Sequence, residues 1–318
     1  MFNKKKTDEW RSSILIPIYK NKGDVQSCNN YRGIKLMSHT MKIMERVLEK
    51  RLREEVNIGD QQFGFMPKKS TIDAIFALRI NAEQYRSAQK ELHCVFIDLE
   101  KAYDRVPRDE VWHSLAEKGV SQKYITLIKN MYHGSETVVR TAAGTTEPFT
   151  VEVGIHQGSA LSPFLFAIVM DQLTEGLRRP NPWTMMFADD IALLNESGEE
   201  AEEELESWRE AMERRGLRVS RTKTEYMCLN KQTEGHEIKL KGQQVPETTE
   251  FKYLGSTVQG NGDCDADVNR KIQSGWNSWR KLTGLMCDKR VPVKVKGKLH
   301  KTVVRPAMMY GLETLPMT

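Results

Sequence analysis

Three carboxylates stand where ionised side chains are costly. Asp98 lies within or at the end of the apolar run Cys94-Val95-Phe96-Ile97-Asp98-Leu99, and Asp189-Asp190 follow Met185-Met186-Phe187-Ala188. A carboxylate in an apolar strand needs a partner or a bound cation. Like carboxylates drawn together raise one another's pKa unless a cation neutralises them, and all-oxygen donors suit Mg²⁺ or Mn²⁺. Two such ions about 3.5–4 Å apart stabilise both the attacking and the leaving oxygen of an in-line phosphoryl displacement. An Asp-Asp pair between strands is by itself most often a turn. Spacing alone therefore specifies a carboxylate metal site beside a basic region, and no particular reaction.

The elements that must hold these residues follow from the hydrophobic pattern. Leu15 to Tyr19 reads as a short β segment. A helix follows with the stripe Met37, Met41, Met44, Leu48, Leu52 and Val56, and a second spans Thr71 to about Lys90, opened by Ser70 with Asp73 in the capping-box position. The run Cys94–Leu99 has strand length. Two amphipathic helices carry Val111 and Leu115, then Tyr124, Ile128 and Met131, before a hairpin of Glu136–Thr141 and Phe149–Val153. Ser162-Pro163 predicts a helix start, with Ser162 as N-cap and a stop at Pro180. Trp183–Phe187 and Ile191–Leu194 are strands meeting at Ala188-Asp189-Asp190. A Glu-rich helix from Glu199 to Arg215, with Leu205, Trp208 and Met212 inward, leads to strands near Thr224–Leu229, Glu237–Leu240 and Phe251–Leu254. This order gives an α+β fold with helices over one face of a mostly antiparallel sheet, in one folding unit.

Composition bounds the rest. With 318 residues, 39% hydrophobic and 29% charged, the chain is an ordinary globular one of about two domains or one with large lobes. Its longest apolar stretch, Ala160–Met170, is interrupted by Ser162 and Pro163 and falls short of the roughly 20 residues of a membrane span. The basic start Met1–Lys6 has no apolar core after it, so no export signal is read. Five scattered cysteines, with no CxxC pair and no His at ligand spacing beside them, read as reduced thiols of an intracellular protein. Arg270–Arg305 holds eleven Lys or Arg against one acid, Asp288, so it carries +10 and the remainder −5. There Ile272, Trp276, Trp279, Thr283 and Met286 recur at helical spacing with Arg270 and Lys281 opposite, which predicts an amphipathic helix with a basic outer face for a nucleic-acid backbone.

At this point whole strings carry a resemblance. Phe96-Ile97-Asp98-Leu99-Glu100-Lys101-Ala102-Tyr103-Asp104, Gly154-Ile155-His156-Gln157-Gly158-Ser159-Ala160-Leu161-Ser162-Pro163 and Phe187-Ala188-Asp189-Asp190 resemble reverse transcriptase motifs A, B and C, in that order. Gly216–Thr224 resembles motif D, and Phe251-Lys252-Tyr253-Leu254-Gly255 resembles the motif E primer grip. Asn30-Tyr31-Arg32-Gly33-Ile34 and Gln62–Thr71 are similar to finger motifs of non-LTR (LINE-like) retrotransposons.

The resemblance implies a right-hand polymerase, with fingers at residues 1–90, a palm at 91–258 and a short, truncated basic helical thumb at 259–318. It implies an RNA-directed DNA polymerase acting on an RNA template, a DNA primer and dNTPs, with Mg²⁺ (Mn²⁺ substituting) held by Asp98, Asp189 and Asp190. Tyr103 would be the steric gate against a 2′-hydroxyl. Gln157 and Gly158 would lie under nucleotide and template, and Arg32, Lys68 and Lys69 at the triphosphate. Lys223 would protonate the pyrophosphate, with a plain surface lysine as the competing reading. Tyr253, Leu254, Gly255, Arg270 and Lys281 would meet primer and template, while His156 merely shapes its loop. A full element of this kind is longer, with an endonuclease ahead of the polymerase, so a truncated nucleic-acid-binding remnant is the alternative. An RNA-templated RNA polymerase would carry a small polar arrangement in place of Tyr103.

Overall fold

The structure is a computed structural model that describes residues 8–232 and 237–315; Met1–Lys6 and Pro316–Thr318 lie outside the described residues. Where the pattern suggested one folding unit, the chain forms two compact ones, each assembled from separated stretches. The first comprises residues up to 65, 98–178 and 207–220; the second comprises 66–97, 179–206 and 221 onward.

The second unit is built on a four-stranded antiparallel sheet, in the order Thr184–Phe187, Asp190–Asn195, Leu92–Ile97, Glu225–Leu229. Leu92–Ile97 is flanked on both sides and every one of its residues is buried, which is why it reads as an unbroken apolar run. The helix Thr71–Ser87 starts as expected: Ser70 and Asp73 close a capping box, and Ala74, Ile75, Leu78 and Ala82 face the core. A hairpin of Glu250–Tyr253 and Ser256–Gln259 lays the Phe251 ring on Phe96, centroids 3.7 Å apart.

The helix Asp265–Lys281 corrects the expected face. Ile272 and Trp276 are exposed, and Asp267, Lys271 and Gly275 form the buried row. Asp267 accepts from Arg79 at 2.8 Å, with both side chains buried, and also from Ser256 Oγ and the Thr257 amide. A side chain at Gly275 would meet Met308, so glycine lets the helix Arg305–Met309 close in. A buried ion pair and a small residue anchor this helix, features that an apolar periodicity overlooks.

In the first unit Ser12–Tyr19 pairs antiparallel with Tyr31–Leu36 and parallel with Glu136–Thr141. Glu136–Thr141 also pairs with Gly144–Thr145 and Phe149–Thr150, closing the expected hairpin. The helix Ser162–Thr174 is buried on all sides, from Phe164 through Met170. It is capped by Ser159 and not by Ser162: Ser159 Oγ accepts from the amides of Leu161 (3.1 Å) and Ser162 (3.2 Å). The helix also ends at Thr174, before Pro180, with Thr174 Oγ1 donating back to the Met170 carbonyl. The helix His39–Glu55 buries Met41, Leu48 and Leu52, but gives its fourth inward place to Glu45. That carboxylate accepts from Ser159 Oγ (2.7 Å) and the Ala160 amide (2.9 Å), and burial pushes its pKa up against these bonds. Among the described residues no helix is long and apolar enough to cross a membrane.

Candidate active site

The acidic turn is set by strand register. Phe187 pairs with Asp190, so Ala188 and Asp189 form a two-residue hairpin loop. Ala188 has φ +59°, the left-handed region that the first central residue of a II′ turn requires and that glycine fills most easily. An alanine there stores strain at the tip, of the kind that collects at functional turns. Asp189 is half-buried and Asp190 exposed. The central strand pairs Ile97 with Ile191 and ends there. Asp98 is therefore the next residue after the sheet, as Asp190 is the residue before Ile191. Beyond Ile97 the chain enters the first unit, where Asp98 C=O accepts from the Ser220 amide and the Glu100 amide donates to Arg218, both at 2.8 Å. Arg218–Ser220 thus works as a short ladder on the segment that carries Asp98.

Tyr103 sits on the short helix Ala102–Arg105, and its ring stacks on Phe166 with centroids 4.5 Å apart. The loop Gly154–Ser159 closes against the same helix. Ile155 N–H donates to the Tyr103 carbonyl at 2.9 Å, and Gln157 Nε2 donates to Asp104 Oδ1 at 2.9 Å. Gly154 and Gly158 both have positive φ, and a Cβ at either would lie 2.6–2.7 Å from a backbone oxygen, of Asp104 and Lys35 respectively. Glycine at 158 is thus demanded by its approach to the Lys35 backbone, whose amide in turn donates to the Gln157 carbonyl. His156 is buried and stacks on Tyr132 at 4.4 Å, consistent with loop shaping.

In the second unit, Lys68 (φ +63°, exposed) and Lys69 (half-buried) directly precede the Ser70 cap. Lys223 is exposed just before Glu225–Leu229. Tyr253 is buried at the end of its strand, and burial, reinforced by the Asp190 charge, pushes its phenol far up. Leu254 (φ +48°) and Gly255 (φ +85°) make the paired positive-φ turn of a I′ hairpin. Tyr310 covers that turn, its hydroxyl donating to the Leu254 carbonyl at 2.8 Å. Arg270 is tied to Glu250 and Thr257 of the hairpin, and Lys281 is exposed at its helix end. Arg32 is exposed on its strand in the first unit. Within single units, the structure thus brings together Tyr103, Gln157 and Gly158 in one, and Asp189, Asp190 and Tyr253 in the other.

A family model described as reverse transcriptase (RNA-dependent DNA polymerase) matches residues 18–258. The chain belongs to this family. Among its relatives is a probable RNA-directed DNA polymerase from transposon BS of Drosophila melanogaster, 26% identical over 96% of the chain and 36% of the relative. Another is the Pol polyprotein of the type-1 retrotransposable element R2 of Popillia japonica, 24% identical over 96% of the chain and 44% of the relative. The chain spans less than half the length of these two relatives. Apo telomerase from Candida tropicalis shares the fold, with TM-score 0.57 at 11% identity, over 99% of this chain and 59% of that one. The right-hand polymerase fold and the non-LTR retrotransposon resemblance both hold.

Sequence reasoning passed over Lys35. It is buried on the strand Tyr31–Leu36, and its amine is lowered to about 8 by burial first and Arg108 second, against the raising effect of Asp104. The available signal was its place two residues after Gly33, on the same strand face. A strand had not been read there because Tyr-Arg-Gly-Ile-Lys-Leu mixes charge and glycine into the run.

Proposed function

We propose that this chain is an RNA-directed DNA polymerase that extends a DNA primer on an RNA template with dNTPs. The observation that carries this reading is the register that ends the central strand at Ile97, one residue before Asp98, opposite a strained hairpin bearing Asp189 and Asp190. The donors are hard carboxylate oxygens, which fits Mg²⁺, with Mn²⁺ as a substitute. When bound, two such ions lower the barrier to phosphoryl transfer by neutralising charge on the attacking and leaving oxygens.

In this reading residues 1–90 act as fingers, 91–258 as palm and 259–318 as thumb. Tyr103, its ring pinned by Phe166, excludes a ribose 2′-hydroxyl. Gln157, oriented by Asp104, and Gly158 support the incoming nucleotide, and Arg32, Lys68 and Lys69 hold its phosphates. Lys223 gives a proton to the departing pyrophosphate. The I′ turn Leu254-Gly255 with Tyr253 supports the primer end, and Arg270 and Lys281 contact the duplex backbone. A relative named as an RNA-directed DNA polymerase and a telomerase of the same fold bound to a fragment of telomeric RNA support RNA as template.

The test is primer extension on an RNA template with dNTPs and Mg²⁺, using wild type beside Asp189→Asn. Extension by the wild type and its loss in the variant, with template–primer binding retained, is the expected result. Binding without extension by either form would instead favour a non-catalytic remnant.

A further inference from the structure

Well away from the acidic turn, the four-stranded sheet gathers a second set of metal-ligating side chains. Among the described residues Glu91, His93 and Cys228 place one ligand atom each within 4.8 Å of the others. Register explains the meeting: His93 pairs directly with Cys228 across the strands, so their side chains share a face, and Glu91 lies two residues before His93 on that same face. His93 and Cys228 are buried, and Glu91 is half-buried at the rim.

Each outer ligand is held by a further contact. His93 Nδ1 is 2.7 Å from the Tyr226 hydroxyl, with the two rings stacked, and His93 Nε2 is 3.8 Å from Glu91 Oε2. The other carboxylate oxygen, Glu91 Oε1, accepts from the Gln232 amide. Orienting contacts of this kind, on the far nitrogen of a histidine and the far oxygen of a carboxylate, are what metal ligands carry.

We propose that Glu91, His93 and Cys228 bind a borderline divalent transition-metal ion, best met by Zn²⁺, with water in the fourth position. Imidazole and thiolate donors suit zinc and are poor ligands for Mg²⁺, so this site differs in chemistry from the carboxylates at the other end. Around a tetrahedral zinc, bond lengths of about 2.0–2.3 Å set ligand atoms roughly 3.5 Å apart. The present cluster needs to close by only about 1 Å to reach that spacing. On binding, Cys228 gives its proton to solvent and its sulfur donates an electron pair to the ion; nothing is oxidised or reduced. With one thiolate and one carboxylate the loaded site is neutral. It clips Glu225–Leu229, which lies at one end of the strand order, to the central strand.

The experiment titrates Co²⁺ into the full, chelator-stripped chain in excess Mg²⁺, which occupies oxygen-only sites. Expected are a near-ultraviolet thiolate-to-cobalt band and intense visible bands that saturate at one equivalent and are displaced by Zn²⁺. Cys228→Ser should abolish the thiolate band, Tyr226→Phe should weaken binding about tenfold, and Cys287→Ser, which removes an exposed thiol, should leave the band intact. The zinc K-edge spectrum of the loaded wild type should require one sulfur at about 2.3 Å. The absence of a thiolate band and of a sulfur shell in the wild type overturns the proposal without reference to any variant. A band that survives Cys228→Ser but not Cys287→Ser also overturns it.

Discussion

Strand Leu92–Ile97 runs toward oxygen donors at one end and has nitrogen and sulfur donors at the other. Ile97 lies four residue steps beyond His93, about 13 Å along an extended strand. At the far end the chain leaves the sheet for Asp98, and the neighbouring hairpin turns through Ala188-Asp189-Asp190 with strained backbone. At the near end the backbone stays in register, and alternation along one strand plus a cross-strand pair brings Glu91, His93 and Cys228 together. The first arrangement suits a hard ion that exchanges ligands with a phosphate; the second suits a borderline ion that stays in place. One sheet can offer both because a strand's end and its flank present different geometry: a turn clusters consecutive residues, whereas a flank selects every second one.

Asp98→Asn should produce the largest effect that separates the two ends. Loss of one carboxylate ligand is expected to lower primer extension by roughly 10³-fold, about 4 kcal/mol of barrier, while the cobalt–thiolate band keeps its position and intensity. A joint loss of both signals would mean that the two ends are not independent. Next in size is Tyr103→Val, for which ribonucleotide incorporation should rise about 10- to 100-fold relative to deoxynucleotide, measured by competitive single-nucleotide extension. No gain in ribonucleotide use would count against the gate.

Ala188→Gly probes the strain at the oxygen end alone. A left-handed residue costs roughly 1–2 kcal/mol, partly offset by the extra chain entropy of glycine, so a gain of up to about 1 kcal/mol is expected in denaturant unfolding. The smallest effect belongs to neither end and gauges the background. The Lys35 amine is held near 8 in the fold, below the ordinary 10.5, so the folded state binds fewer protons between these values and stability rises with pH across that window. Lys35→Met should therefore melt above wild type near pH 7, with the gap shrinking as pH rises past 8. A gap independent of pH would show that the amine titrates normally.

The oxygen end was legible in the sequence because its ligands lie inside short local strings, each carrying its own strand or turn signal. The Ser70–Asp73 capping box was legible for the same reason, as were Met41, Leu48 and Leu52 on the inward face of the helix His39–Glu55, although Glu45 and not Met44 fills the remaining inward place. The nitrogen and sulfur end was not, because Cys228 and His93 are far apart in the chain and meet only through register. Cysteine spacing accordingly suggested scattered thiols. The face of Asp265–Lys281 was misread because Trp276 and Ile272 form the better apolar stripe, yet Asp267 and Lys271 are drawn inward by Arg79 and the Gly255 carbonyl. Ser162 was taken as the cap because Pro163 follows it, whereas Ser159, fixed by Glu45, reaches the free amides first.

The central claim, that Asp189 is a ligand of the ion that supports nucleotide addition, is tested most directly by Asp189→Cys assayed for primer extension on an RNA template. Replacing an oxygen ligand by sulfur shifts preference away from Mg²⁺ toward softer ions. Expected is extension by the wild type with Mg²⁺, loss of that extension in the variant, and partial recovery when Mn²⁺ replaces Mg²⁺. Undiminished extension by Asp189→Cys in Mg²⁺ would contradict it.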